Sequence, residues 1–137
     1  MNKLTQIGFT LIELMIVIII VGVISFIAVA SYSYYNFKGQ RADGLNAILA
    51  VALAEERYRS YNTQYGSLAQ AYSGVTTSPQ GYYTLAVSNV SATGYTITAT
   101  AVGNQANDKE GSTSCTPLSY AVSSGTITKT PAVCWPS

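Results

Sequence analysis

The feature that most constrains this chain is an apolar run over residues 9–30, interrupted by one charge, Glu13. As an α-helix, about 22 apolar residues extend about 33 Å, enough to cross the hydrocarbon core of a bilayer. The chain has 137 residues, so roughly a hundred remain for a soluble core, one small domain. A buried core helix is one alternative, but a domain of that size could scarcely surround a helix that is apolar on every side. A removable secretory signal is another, since Lys3 precedes the run and Ala28-Val29-Ala30 stands before Ser31 like a small-residue cleavage site. Glu13 weighs against it. An ionisable group inside an apolar segment costs about 2.5–3.5 kcal/mol on insertion scales, a cost that points to a function.

Charge excludes several classes of function. Seven Lys and Arg balance six Asp and Glu, together 9% of the chain, which gives no electrostatic footprint for nucleic acid. Lys38, Arg41, Arg57, Arg59, Lys109 and Lys129 are scattered and read as solvated surface residues. The sequence contains no His, which removes the commonest general base and metal ligand. No phosphate-cradling glycine loop, zinc spacing or nucleophile-base pair is present, and neither catalysis, a metal nor a cofactor is expected. Asp108 and Glu110 in the polar stretch 103–111 could ligate calcium, but a solvated loop is the simpler reading. Cys115 and Cys134 would pair in an exported protein and stay unpaired in a cytosolic one.

The segment Gly8-Phe9-Thr10-Leu11-Ile12-Glu13, followed by Leu14-Met15-Ile16-Val17-Ile18-Ile19-Ile20, resembles the N-terminus of type IV pilins. The resemblance implies a leader over residues 1–8, cut by a prepilin peptidase after Gly8, with methylation of the new amino group on Phe9. It implies that the apolar helix is retained, and that Glu13 contacts the charged terminal amine of Phe9 in a neighbouring subunit, with Gly22 as the helix glycine. Physically, an opposite charge offsets much of the cost of a carboxylate in a low-dielectric helix bundle. Many pilins have a proline where this chain has Ala30, so helix melting in the filament is less assured here. The implied partners are other pilin subunits, the prepilin peptidase, the inner-membrane pilus assembly machinery and, before assembly, membrane lipid. The implied location is the inner membrane with a periplasmic domain, then an extracellular pilus serving motility, adhesion or DNA uptake.

The rest of the chain predicts an α+β fold, in which a long N-terminal helix with a protruding apolar half packs on a four-stranded antiparallel sheet. The helix is expected over residues 9–61, with 9–30 as its membrane and assembly part. Leu45, Ile48, Leu49, Ala52 and Leu53 share a face at helical spacing until Glu56 interrupts it, and Glu55 with Arg59 reads as a weak surface ion pair. Residues 62–80 read as the helix-to-sheet loop and 81–137 as the sheet with its C-terminal region. There Tyr83, Leu85 and Val87 alternate with Thr84, Ala86 and Ser88, and Tyr95, Ile97, Ala99 and Ala101 alternate with threonines. Beyond a polar loop over 103–114, Leu118, Tyr120 and Val122 lead through a Ser-Gly turn into a strand over 126–130, a second hairpin.

Residues 115–134 resemble the disulfide-bounded region of pilins, and the resemblance implies a Cys115–Cys134 bridge worth about 3 kcal/mol in the chain-entropy model. Major pseudopilins of type II secretion, an alternative identity, typically carry an acidic calcium loop in its place. The Cys134-Trp135 ending and the short soluble domain look like small minor pilins, with a major shaft pilin as the other reading. Trp135 is either a core plug or an exposed contact. Nucleic acid stands as an alternative partner, supported only by tyrosines and scattered cations.

Overall fold

The computed structural model describes residues 8–136, so residues 1–7 of the expected leader, and Ser137, lie outside the described residues. The chain divides into two units, Met1–Tyr35 and Asn36–Ser137. Helix α1 (Leu11–Tyr61) supplies most of the first and enters the second. It runs without a break through Gly22 and position 30. This is consistent with a single interior glycine costing only about 1 kcal/mol relative to alanine.

In the second unit a short helix α2 (Leu68–Ala71) follows α1, capped by Ser67, whose own N–H donates to Gln70 Oε1 at 2.9 Å. The segment 62–80, expected as a plain loop, therefore contains a helical turn. Strands β1 (Tyr83–Ser88) and β2 (Gly94–Ala101) form the first hairpin. The minor strands β3 (Lys109–Glu110) and β4 (Thr113–Ser114) pair with each other. Strands β5 (Leu118–Ser123) and β6 (Thr126–Thr130) form the last hairpin. The main sheet has the order β1-β2-β5-β6 and is antiparallel throughout. The stretch 103–114 is thus a 3₁₀ turn, Gly103–Asn107, and a tiny hairpin rather than an irregular loop.

The alternation read from the sequence sets which sheet face is buried. Tyr83, Leu85, Tyr95, Ile97, Ala99, Leu118, Tyr120 and Val122 face the core, while the threonines between them lie on the wetter side, as one-sided antiparallel sheets require. Rows across the strands follow from the register, with Val87, Ile97, Tyr120 and Lys129 in line and Leu85, Ala99 and Leu118 in the next row.

From α1 the core receives Ala47, Ile48, Val51 and Ala52. Leu49 and Leu53, assigned above to the buried stripe, are 50% and 63% exposed. The helix is rotated so that Gly44, Ala47, Ile48, Val51 and Glu55 form the inner face. Gly44 explains the rotation: a Cβ there would lie 2.8 Å from Tyr83 Cδ2, so its absence lets the tyrosine ring seat against the helix backbone. Small residues set where the helix approaches the sheet most closely, and the larger leucines are left outside.

Candidate assembly segment and the charges behind it

Residues predicted to act in processing and assembly lie at the start of α1. Phe9 is 80% exposed and Gly8 is also exposed. Thr10 precedes the helix, and its Oγ1 accepts the Glu13 N–H at 3.3 Å. That contact satisfies one of the backbone donors a helix start leaves without a partner. Glu13 thus sits in the first turn, where the aligned peptide dipoles favour a negative charge. From Leu11 to Ile27 the leucine, isoleucine, valine, methionine and phenylalanine side chains are all at least half exposed. Gly22 faces open space, with nothing beyond the neighbouring helix backbone within 4 Å of where a Cβ would stand. Nine residues separate Glu13 from Gly22, about two and a half turns, so the two lie on opposite faces of the helix. The structure does not bring them together. With this length and composition α1 is able to cross a membrane.

The other predicted pair does meet. Cys115 and Cys134 form a disulfide with both residues buried, their Cα atoms 5.6 Å apart. Trp135 beside it is half-buried. Its indole N–H donates to Thr130 O at 3.4 Å, its ring lies 6.1 Å from that of Tyr120, and the Lys129 ammonium sits 5.3 Å over it. It closes the edge of the core, between the two readings left open above.

The sequence reading missed the charges on the inner half of α1. Arg41 is 3% exposed, not solvated: Nε and Nη2 donate to the two oxygens of Asp108 at 2.7 and 2.8 Å, and Nη1 donates to Glu110 at 2.9 Å. The hydrogen bonds it donates to Asp108 hold the Arg41 guanidinium well above its ordinary range. Asp108, 1% exposed, and Glu110 are therefore committed to an internal cation, which corrects their reading as a solvated loop and leaves them unsuited to calcium. Among the described residues no group of three or more His, Cys, Asp or Glu could hold a metal ion.

Asp43, also buried, accepts hydrogen bonds from Ser78 Oγ and from the Gln80 N–H at 3.1 Å. Glu55 is wholly buried and accepts the Gly66 N–H at 2.9 Å through Oε2, while Oε1 has no partner. Burial pushes its carboxyl above the usual range. It is not the surface partner of Arg59, which instead donates to the carbonyls of Ala92 and Asn62. The inner half of α1 thus fastens three separate loops: Arg41 the segment around Asp108, Asp43 the approach to β1, and Glu55 the turn at Gly66. The sequence spacing gave no cue to these charges, since Arg41 and Asp43 stand two positions apart, on opposite sides of the helix. Their partners lie up to 69 residues away.

Two family models match this architecture. Residues 4–29 match the prokaryotic N-terminal methylation motif. Residues 30–119, more than half of the chain, match the family described as "Type IV minor pilin ComP, DNA uptake sequence receptor". The chain belongs to this type IV minor pilin family. The first match carries the methylation motif of prokaryotic N-termini and the second the minor pilin domain that follows it. The chain is also similar to the type II secretion system core protein G of Klebsiella michiganensis, at 30% identity over 58% of this chain and 56% of that protein. The protein of the same description from Pectobacterium carotovorum subsp. carotovorum is 32% identical over 54% of this chain and 47% of its own length. This minor pilin therefore spans about half the length of those curated relatives, and they fit the pseudopilin alternative only weakly.

Proposed function

We propose that this minor pilin is held in the inner membrane by residues 9–30, is cut after Gly8 and methylated on Phe9, and enters a pilus through α1. Its domain boundaries would then be a leader over 1–8, the helix over 9–61 with 9–30 as the assembly part, a connecting segment over 62–80 and the sheet over 81–137. The observation that carries this reading is the exposed apolar surface of residues 11–27, which holds one carboxylate, Glu13, in the first helical turn. Lipid is itself apolar, so packing in a filament gains little from simple transfer, and specificity has to come from close contact and from polar pairing. The Glu13 carboxylate meeting the methylated amine of a neighbouring Phe9 supplies that pairing and sets subunit register, with Gly22 admitting close helix approach. The test is Glu13→Ala combined with mass analysis of the mature terminus. The variant should reach the membrane and be cut normally, yet fall at least about tenfold in sheared pili, in line with the cost of a lost buried charge pair. Normal pilus content would end the registry role, and a mature terminus at Ser31 would end the whole reading.

A second reading, DNA capture, draws on the family's description as a DNA uptake sequence receptor. Arg57, Lys109 and Lys129 are exposed and available to phosphates, whereas Arg41 is consumed internally. If all three reach the backbone, binding should fall with salt with a logarithmic slope of about −3. Binding to duplex DNA that is insensitive to salt, or absent, would rule this mode out.

A further inference from the structure

A groove of about 480 Å³ opens between the end of α1 and the β5-β6 hairpin. Leu53 and Ile127 line it, 63% and 52% exposed, with Tyr65, Tyr95 and Tyr120 as its aromatic wall. Its sole charge is the Glu56 carboxylate. The tyrosines hold that carboxylate in place: the Tyr65 hydroxyl donates to Oε1 at 3.1 Å and the Tyr95 hydroxyl donates to Oε1 at 3.3 Å. The rings of Tyr65 and Tyr95 are in contact, with centroids 4.6 Å apart. Burial, together with the Glu56 charge, holds the Tyr65, Tyr95 and Tyr120 phenols above their usual range. Among the described residues no cation pairs with Glu56. Arg59 is turned to backbone carbonyls, and the Lys129 ammonium lies over Trp135.

We propose that this groove receives an arginine side chain of a protein partner, the guanidinium on Glu56 and the aliphatic stem across Leu53 and Ile127. A carboxylate already fixed by two hydroxyl donors loses little freedom on binding. Oε1 takes both hydroxyls and Oε2 only the longer arm of Tyr65, at 3.3 Å, so Oε2 keeps a lone pair for a guanidinium N–H, and the planar cation can stack on the partly exposed Tyr65 ring. Lysine offers a point charge with no planar face to stack on that ring. The same negative charge repels phosphate, so this face is separate from any DNA-binding surface.

The test follows the tyrosine ring resonances of the full chain in detergent micelles by NMR, during titration with N-acetyl-arginine amide and with its uncharged isostere N-acetyl-citrulline amide. Saturable shifts at Tyr65 and Tyr95 with the arginine compound are expected. They should be about fivefold weaker with citrulline amide and in Glu56→Gln, the ratio a partly exposed ion pair supplies. Glu56 is exposed and the glutamine keeps an acceptor for both hydroxyls, so that variant should stay folded, which its unshifted Tyr83 resonances would verify. Equal responses to the two compounds, an unchanged response in the variant, no response, or shifts induced by a DNA duplex instead would each overturn the proposal.

Discussion

Between Leu11 and Ile27 every large aliphatic side chain stands at least half exposed, whereas in the second unit Ile48, Val51, Ile97 and Leu118 are sealed completely. The charges follow the same division. Glu13 stands among exposed apolar neighbours, while Arg41, Asp43, Glu55 and Asp108 are buried and bound within the chain. Apolar surface left in the open needs a lipid or protein partner, since a soluble monomer rarely exposes so large a continuous patch. Buried charge held by its own chain needs only correct folding. The first unit is therefore built for a partner and the core of the second is held by its own chain, and substitutions should separate the two.

The largest effect on folding should come from Arg41→Ala. Removing one member of a buried charge cluster leaves Asp108 buried without its cation, at about 3–5 kcal/mol. Urea unfolding of the full chain in detergent, followed by tyrosine fluorescence, measures this. A loss under about 1 kcal/mol would mean that the cluster is solvated in solution. Next comes Cys134→Ser, which releases a loop with a sequence separation of 19 and should cost about 3 kcal/mol. Reduction of the parent protein should match the variant in the same unfolding assay.

Glu55→Gln should have a smaller effect with a distinctive pH dependence. The Glu55 carboxyl is raised above its ordinary value, so the folded state binds its proton more readily than the unfolded state. Its stabilising contribution is complete below the ordinary carboxyl range and is lost as pH rises through the raised folded value. Glutamine does not ionise and keeps an oxygen for the Gly66 N–H. The variant should therefore gain stability relative to the parent as pH rises from 4 to 8, by thermal melts at matched ionic strength. The opposite trend would show that the unpartnered oxygen finds a donor in solution.

Glu13→Ala should have the least effect on folding, within about 0.5 kcal/mol, as for an exposed site outside the core, even as pilus content collapses. A destabilised second unit in that variant would break the division between the two regions.

Helix length, the membrane-competent run and the one-sided sheet were all legible along the chain, because each repeats over neighbouring residues. The strands read from period two appear at Tyr83–Ser88, Gly94–Ala101 and Leu118–Ser123, and the strand read from the Ser-Gly turn appears at Thr126–Thr130. The inner face of α1 was misread because hydrophobicity ranked Leu49 and Leu53 above Gly44 and Ala47, whereas close approach to the Tyr83 ring favoured the smaller residues. The two cysteines suggested a bridge only if the protein is exported, and the structure places it directly.

By itself, then, the sequence determined what local repetition encodes: an apolar helix with one acid near its start, followed by alternating strands around a small core. Only the tertiary structure decided which charges are internal. Arg41 meets Asp108 across 67 residues and Asp43 meets the hydroxyl of Ser78 across 35. A charge carries no periodic signal of its partner, and its burial becomes affordable only when the fold delivers an opposite charge or a hydrogen bond to the same place.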